Sequence, residues 1–260
     1  MMHVTHRLQG RRAARAPLWR RIQARLAAVI AATYLATPGL AQTGPPDCVL
    51  AALYPPFMIA DTPRNAGLAI DMIREAAARA GRRIEVQFLP FQRTMLTLKT
   101  QKNCIMPALF RNPSREGEFS WIATYDSAQM HLLTVGASDQ DAVDTRTLRS
   151  IAVETGASAD EYLTTAGYAN LTRLSAPESS ARMLHAGRVA AWVQTRSVAK
   201  SMWKKLRLDP PVKVGATLYS VPVFFAAHPD FPSDVAAAYR AAIDEMLRDG
   251  TVDAILAKYD

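Results

Sequence analysis

From residue 48 onward, short apolar runs alternate with apolar stripes at helical spacing. Cys48–Leu53 has the pattern of a buried strand, and Tyr54-Pro-Pro-Phe57 turns the chain after it, because proline cannot continue a ladder. Leu68, Met72 and Ala76, flanked by Ile73 and Ala80, predict a helix that Gly81 ends. Ile84–Phe88 alternates as a second strand. Phe91, Met95 and Leu98 mark a short helix, and Cys104–Phe110 is a third strand. This β-α-β-α-β order belongs to a parallel sheet wrapped by helices.

A further strand is expected at His131–Val135, then a polar link from Ala137 to Asp144. A second α/β series follows. Strands are expected at Ile151–Val153 and Val189–Val193, and helices over Ala159–Ala166, Pro177–Ala186 and Ser197–Leu206. Val221–Ala227 returns as a strand, with Pro222 favouring a sheet edge. Ser233 is placed to cap a long helix bearing Tyr239, Ile243 and Met246, and a terminal helix starts after Asp249-Gly-Thr251. Two small α/β series joined by a link imply two lobes, with ligands bound between them at the carboxyl ends of the strands.

The formal charge of +8 invites a nucleic-acid reading, but the charge is concentrated at the start of the chain. Residues 1–41 hold Arg7, Arg11, Arg12, Arg15, Arg20, Arg21 and Arg25, with no lysine and no acid. Taking those seven from the 31 basic residues leaves 24 against 23 acidic ones, a net of +1. Arg20, Arg21 and Arg25 precede the apolar run Leu26–Ala36, and Gly39-Leu40-Ala41 supplies small residues for cleavage. These are the parts of a secretory signal peptide over 1–41, and the run is too short to span a bilayer. An exported, periplasmic protein that binds no nucleic acid is expected.

An oxidising compartment bears on the two cysteines, Cys48 and Cys104. If their strands are neighbours and parallel, the two residues lie side by side as a structural disulfide; the alternative is two separate buried thiols. No spacing suggests redox, metal or nucleophilic chemistry: His131, His185 and His228 are scattered, and no G-x-S-x-G, H-E-x-x-H, P-loop or G-x-G-x-x-G is present. The expectation is a binding protein without a cofactor rather than an enzyme.

Residues 48–260 resemble the periplasmic solute-binding proteins of the polar amino acid type, family 3. The resemblance rests on the opening strand with Tyr54-Pro-Pro-Phe57, Gly67-Leu-Ala-Ile-Asp71, and Asn103–Arg115 followed by Phe119–Tyr125. Val153-Glu-Thr-Gly-Ala-Ser158 and Leu247–Thr251 with Lys258-Tyr259 continue it. It implies an α/β periplasmic-binding-protein type II fold of two lobes joined by two crossover strands, here 131–137 and 219–226. Lobe 1 would comprise 42–136 plus 224–260, and lobe 2 would comprise 137–223. It further implies a monomer that captures a small solute for the permease of an ABC importer. The alternatives are a sensing module for a membrane receptor, or a dehydratase-like enzyme using Glu116 or Glu154 as acid.

Carried onto this chain, the family pattern puts Arg115 at the end of Asn112-Pro-Ser-Arg115, as a guanidinium fork for a ligand carboxylate. Gly156 and Ser158, before a helix, would offer backbone amides to the same anion. Tyr54 and Phe91 would line the pocket. Three positions depart from the pattern: Gln194 stands where an aspartate usually holds an ammonium, Phe110 replaces a hydroxyl residue, and Arg93 adds a cation. Those departures point to an anionic ligand, an organic acid or a modified amino compound.

Overall fold

The computed structural model describes residues 45–60, 67–136 and 144–259. The signal peptide expected over 1–41 and the link at 137–143 lie outside the described residues. Strand β1 (Asp47–Ala52) lies between β2 (Ile84–Leu89) and β3 (Cys104–Phe110), parallel to both. Helices α1 (Leu68–Arg79) and α2 (Phe91–Thr100) make the connections. The buried faces of β1 and β3 are almost wholly apolar, as a parallel strand covered on both sides requires.

Two 15-residue strands, β4 (Ser120–Thr134) and β8 (Lys213–Ala227), run antiparallel for their whole length. They join that half of the sheet to β5 (Ile151–Glu154), β6 (Leu171–Leu174) and β7 (Ala191–Thr195). The strand order is β2-β1-β3-β8-β4-β7-β5-β6, with β5 parallel to both β6 and β7. Helices α3 (Ser158–Thr165), α4 (Pro177–His185) and α5 (Arg196–Leu206) belong to the second half. The chain then returns through β8, and α6 (Ser233–Arg248) and α7 (Thr251–Leu256) pack on α1 in the first half. The Tyr239 hydroxyl donates to Asp47 at 2.7 Å and the Tyr259 hydroxyl to Asp71 at 2.8 Å, tying the end of the chain to its first strand and helix. Among the described residues no helix is long and apolar enough to cross a membrane.

Three expectations change. The crossing strands are about two to three times as long as the apolar pattern implied, because the middle of β4 alternates buried and exposed positions and so carries no apolar run. Pro222 is not at an edge: β8 pairs with β3 on one side and β4 on the other. Its carbonyl accepts from the Arg111 amide just past the last residue of β3, so its nitrogen faces the same side, where the neighbouring strand has ended. Ser233 is the first residue of α6 rather than its cap, a place taken by Pro232 without a side-chain hydrogen bond.

Cys48 and Cys104 are register partners on β1 and β3 and form a disulfide, with Cα atoms 4.5 Å apart. The turn after β1 also fixes the start of α1: Leu68 and Ala69 donate to the carbonyls of Pro56 and Phe57 at 3.0 and 2.9 Å. Gly67 makes this possible at φ 122°, where a Cβ would collide with the Phe57 carbonyl. Gly67→Ala is therefore expected to cost about 2 kcal/mol or more in a denaturant melt, since both the backbone angle and the space oppose it.

Candidate functional site

A cavity of about 40 Å³ lies between the two halves of the sheet. Tyr54 follows β1, Phe110 ends β3, Glu154 ends β5 and Gln194 comes near the end of β7, so the walls are the carboxyl ends of four strands. Phe57, Met58, Phe91, Met106, Leu109 and Met130 make most of the remaining wall apolar. Tyr54 and Phe91 stand with ring centroids 6.5 Å apart, and Phe57 meets Phe110 edge-on at 6.1 Å. Two charged side chains enter this lining, Arg115 and Glu154.

Arg115 ends a 3₁₀ turn (Pro113–Arg115) that leaves β3, and it is 2% exposed. Nη1 donates to the Phe110 carbonyl at 3.1 Å and Nη2 to the Gly156 carbonyl of the opposite half at 2.7 Å. Nε lies 2.9 Å from Glu161 Oε2 as an ion pair whose angle falls short of a hydrogen bond. Asn112 holds that carboxylate at 2.5 Å. The acids nearest in sequence are engaged elsewhere: Glu116 pairs with Arg111 and Glu118 with Lys99. A guanidinium has five N–H groups, and these contacts use three directions, leaving N–H groups for a ligand carboxylate.

Glu154 is 3% exposed and accepts from four groups. Ser180 and Trp192 donate to Oε1 at 2.6 and 2.9 Å, and Tyr54 and Gln194 to Oε2 at 3.1 and 2.9 Å. Gln194 also donates to the Tyr54 hydroxyl at 2.5 Å, and its own oxygen is fixed by the Thr195 amide at 2.8 Å. Burial raises the Glu154 pKa above its usual value, against the pull of the four donors. Between the ordinary and the raised pKa the native state then keeps a proton that the unfolded chain has lost, so the contribution of Glu154 to stability is full below the ordinary carboxyl pKa and is lost as pH rises through the raised one. Melting curves across that window are expected to flatten in Glu154→Gln.

The cavity brings together Tyr54, Phe91, Phe110, Arg115, Ser158 and Gln194 from the expected set. Arg93 is exposed on α2 and absent from the lining; its neighbour Gln92 reaches across instead and donates to the Thr155 carbonyl. Gly156 contributes its carbonyl to Arg115, while its amide is already held by Asp160 at 2.9 Å and that of Ala157 by the Glu154 carbonyl. The Gly156 amide, one of the two expected to cradle an anion, is thus used inside the turn. Glu116 sits at the surface, outside the lining. Among the described residues no cluster of histidine, cysteine and acidic side chains could hold a metal. Sequence reasoning missed Glu161 and gave Glu154 no ligand role, although an acid closing the apolar strand Ile151-Ala-Val153 was the available signal.

Residues 48–259 match the family model of the bacterial extracellular solute-binding proteins, family 3. The chain belongs to that family. A probable ABC transporter arginine-binding protein, ArtJ of Chlamydia trachomatis, is 30% identical over 115 residues, 43% of this chain and 45% of that protein. The chain therefore matches less than half the length of this curated relative.

Solved structures share the fold. A histidine kinase sensor domain similar to periplasmic binding proteins superposes with TM-score 0.75 at 18% identity, over 82% of this chain and 95% of that one. The P235GK mutant of ArgBP from T. maritima gives 0.70 at 19%, over 82% and 93%. The BvgS VFT2 domain of Bordetella pertussis gives 0.70 at 17%, over 82% and 93%. This family member has the type II periplasmic-binding-protein fold, with β4 and β8 as its crossover strands.

Proposed function

We propose that this protein captures a small, carboxylate-bearing, amino-acid-like solute in the periplasm and delivers it, as a monomer, to the permease of an ABC importer. The observation that carries this reading is the placement of Arg115 and Glu154, one cation and one anion, in a largely apolar cavity at the strand ends. A zwitterionic solute needs a partner for each of its charges once water is excluded. Membership of an extracellular solute-binding family and the partial match to ArtJ support the same reading. This reading does not rest on Arg93, from which together with Gln194 an anionic ligand was expected: Arg93 is absent from the cavity lining and Glu154 is part of it.

In this reading the lobes are 42–136 plus 224–260 and 137–223. The solute docks on Tyr54, Phe91 and Arg115, and the second lobe swings on β4 and β8 to bring Glu154, Ser158 and Gln194 over it. A thermal-shift screen of the mature protein against amino acids and organic acids tests the proposal, since a tight ligand raises the melting point by mass action. An amino acid is expected to do so, and a screen in which none does contradicts the reading. A second reading, a sensing module for a membrane receptor, draws on the likeness to the two sensor-type domains. Deleting the gene separates the two: loss of labelled-solute uptake supports transport, and loss of a solute-dependent response with uptake intact supports sensing.

A further inference from the structure

The charges around the cavity do not cancel. Arg115 is matched by Glu161 across the gap at 2.9 Å, and Asp160 beneath them is matched by Arg173 at 2.8 Å. Glu154 is different: its hydrogen-bond partners are Tyr54, Ser180, Trp192 and Gln194, and none is a cation.

The donor set favours the ionised carboxylate. The indole N–H of Trp192 can only donate, and the Gln194 amide is oriented by the Thr195 contact so that its nitrogen faces Glu154. Tyr54 accepts from Gln194 and turns its own hydrogen to Oε2. Four donors converge on two oxygens, which stabilises the ionised form against the opposing effect of burial. At a pH above the raised Glu154 pKa, where that carboxyl is ionised, the cavity sums to one negative charge.

We propose that the cavity selects ligands carrying one net positive charge, and that Glu154 is the residue setting that preference. The inference rests on the solute-capture reading and narrows it. A zwitterion leaves the sum at minus one, a dicarboxylate makes it worse, and a cationic amino acid brings it to zero. The aromatic faces of Tyr54 and Phe91 fit the same ligand, since a cation beside a ring gains attraction that a neutral group lacks. The apolar wall suits a methylene stem.

Arginine and citrulline provide the test, because they share a shape and differ by one charge. Titration calorimetry of the mature protein is expected to give arginine an affinity about a hundredfold above citrulline. In Glu154→Gln the two should fall to within about twofold of each other. Glu161→Gln removes the other negative charge from the sum and is expected to tighten citrulline while narrowing the same preference; its side chain is only partly buried, so this variant remains informative should Glu154→Gln fail to fold. Wild-type protein that binds citrulline or glutamate as tightly as arginine overturns the inference and leaves solute capture standing. So does a preference unchanged in both variants. Protein that binds no amino acid at all overturns both readings.

Discussion

Arg115→Ala is expected to weaken solute binding by about a hundredfold to a thousandfold, the consequence of removing one partner from a buried charge pair. The guanidinium does two jobs from one position. It presents N–H groups to the cavity, and it bridges the halves by donating to Gly156 and pairing with Glu161. Removing it therefore takes away both a ligand contact and a closing contact. The fold should persist, because the apolar core on either side of the gap does not depend on this side chain and Glu161 can hydrate. Arg115→Lys should recover part of the loss, since an ammonium keeps the charge but not the planar fork. Calorimetry with a ligand from the thermal-shift screen reads the effect, with circular dichroism as the check on folding. Affinity unchanged in Arg115→Ala would remove this residue from the site.

Replacing both cysteines by alanine should have the largest effect on stability. The bridge closes a loop with a sequence separation of 56 residues, and it staples the second residue of β1 to the first of β3 in register. On the chain-entropy account such a cross-link contributes about 4 kcal/mol by restricting the unfolded chain. For a protein of this size that corresponds to a melting point lower by about 8–16 °C. The bond lies at the amino ends of the strands, and the cavity lies at their carboxyl ends, so ligand affinity measured well below the melting transition should be unchanged. A double variant that melts with the wild type would mean that the bridge is not formed in the exported protein.

The sequence made the parallel strands legible because each is a short apolar run bounded by turn residues. β3 was read to its last residue, and β1 and β2 to within one residue at either end. The crossover strands were only half legible. Their middles carry exposed polar residues, among them Thr124, Ser127 and Gln129, and long-range pairing rather than local pattern holds them extended. β6 was missed because Leu171-Thr-Arg-Leu174 is short, lies at the sheet edge and has no fully buried residue.

In the site, the family pattern located Arg115, Tyr54, Phe91 and Gln194, but it could not give their partners. Glu161 lies 46 positions beyond Arg115 and reaches it only because α3 begins where β5 meets the gap. The expectation for Arg93 rests on its charge. Successive helical residues point about 100° apart, and on α2 that rotation turns Gln92 toward the other half and Arg93 away.

The central claim is that a small charged solute is held between the carboxyl ends of the strands, with Arg115 on one side and Glu154 on the other. A crystal structure of the mature protein grown with its tightest ligand tests this most directly. The account predicts ligand density within the cavity, a carboxylate on the Arg115 guanidinium and a cationic group on the side of Glu154. Density for the ligand elsewhere, with Arg115 turned out to solvent, would contradict it.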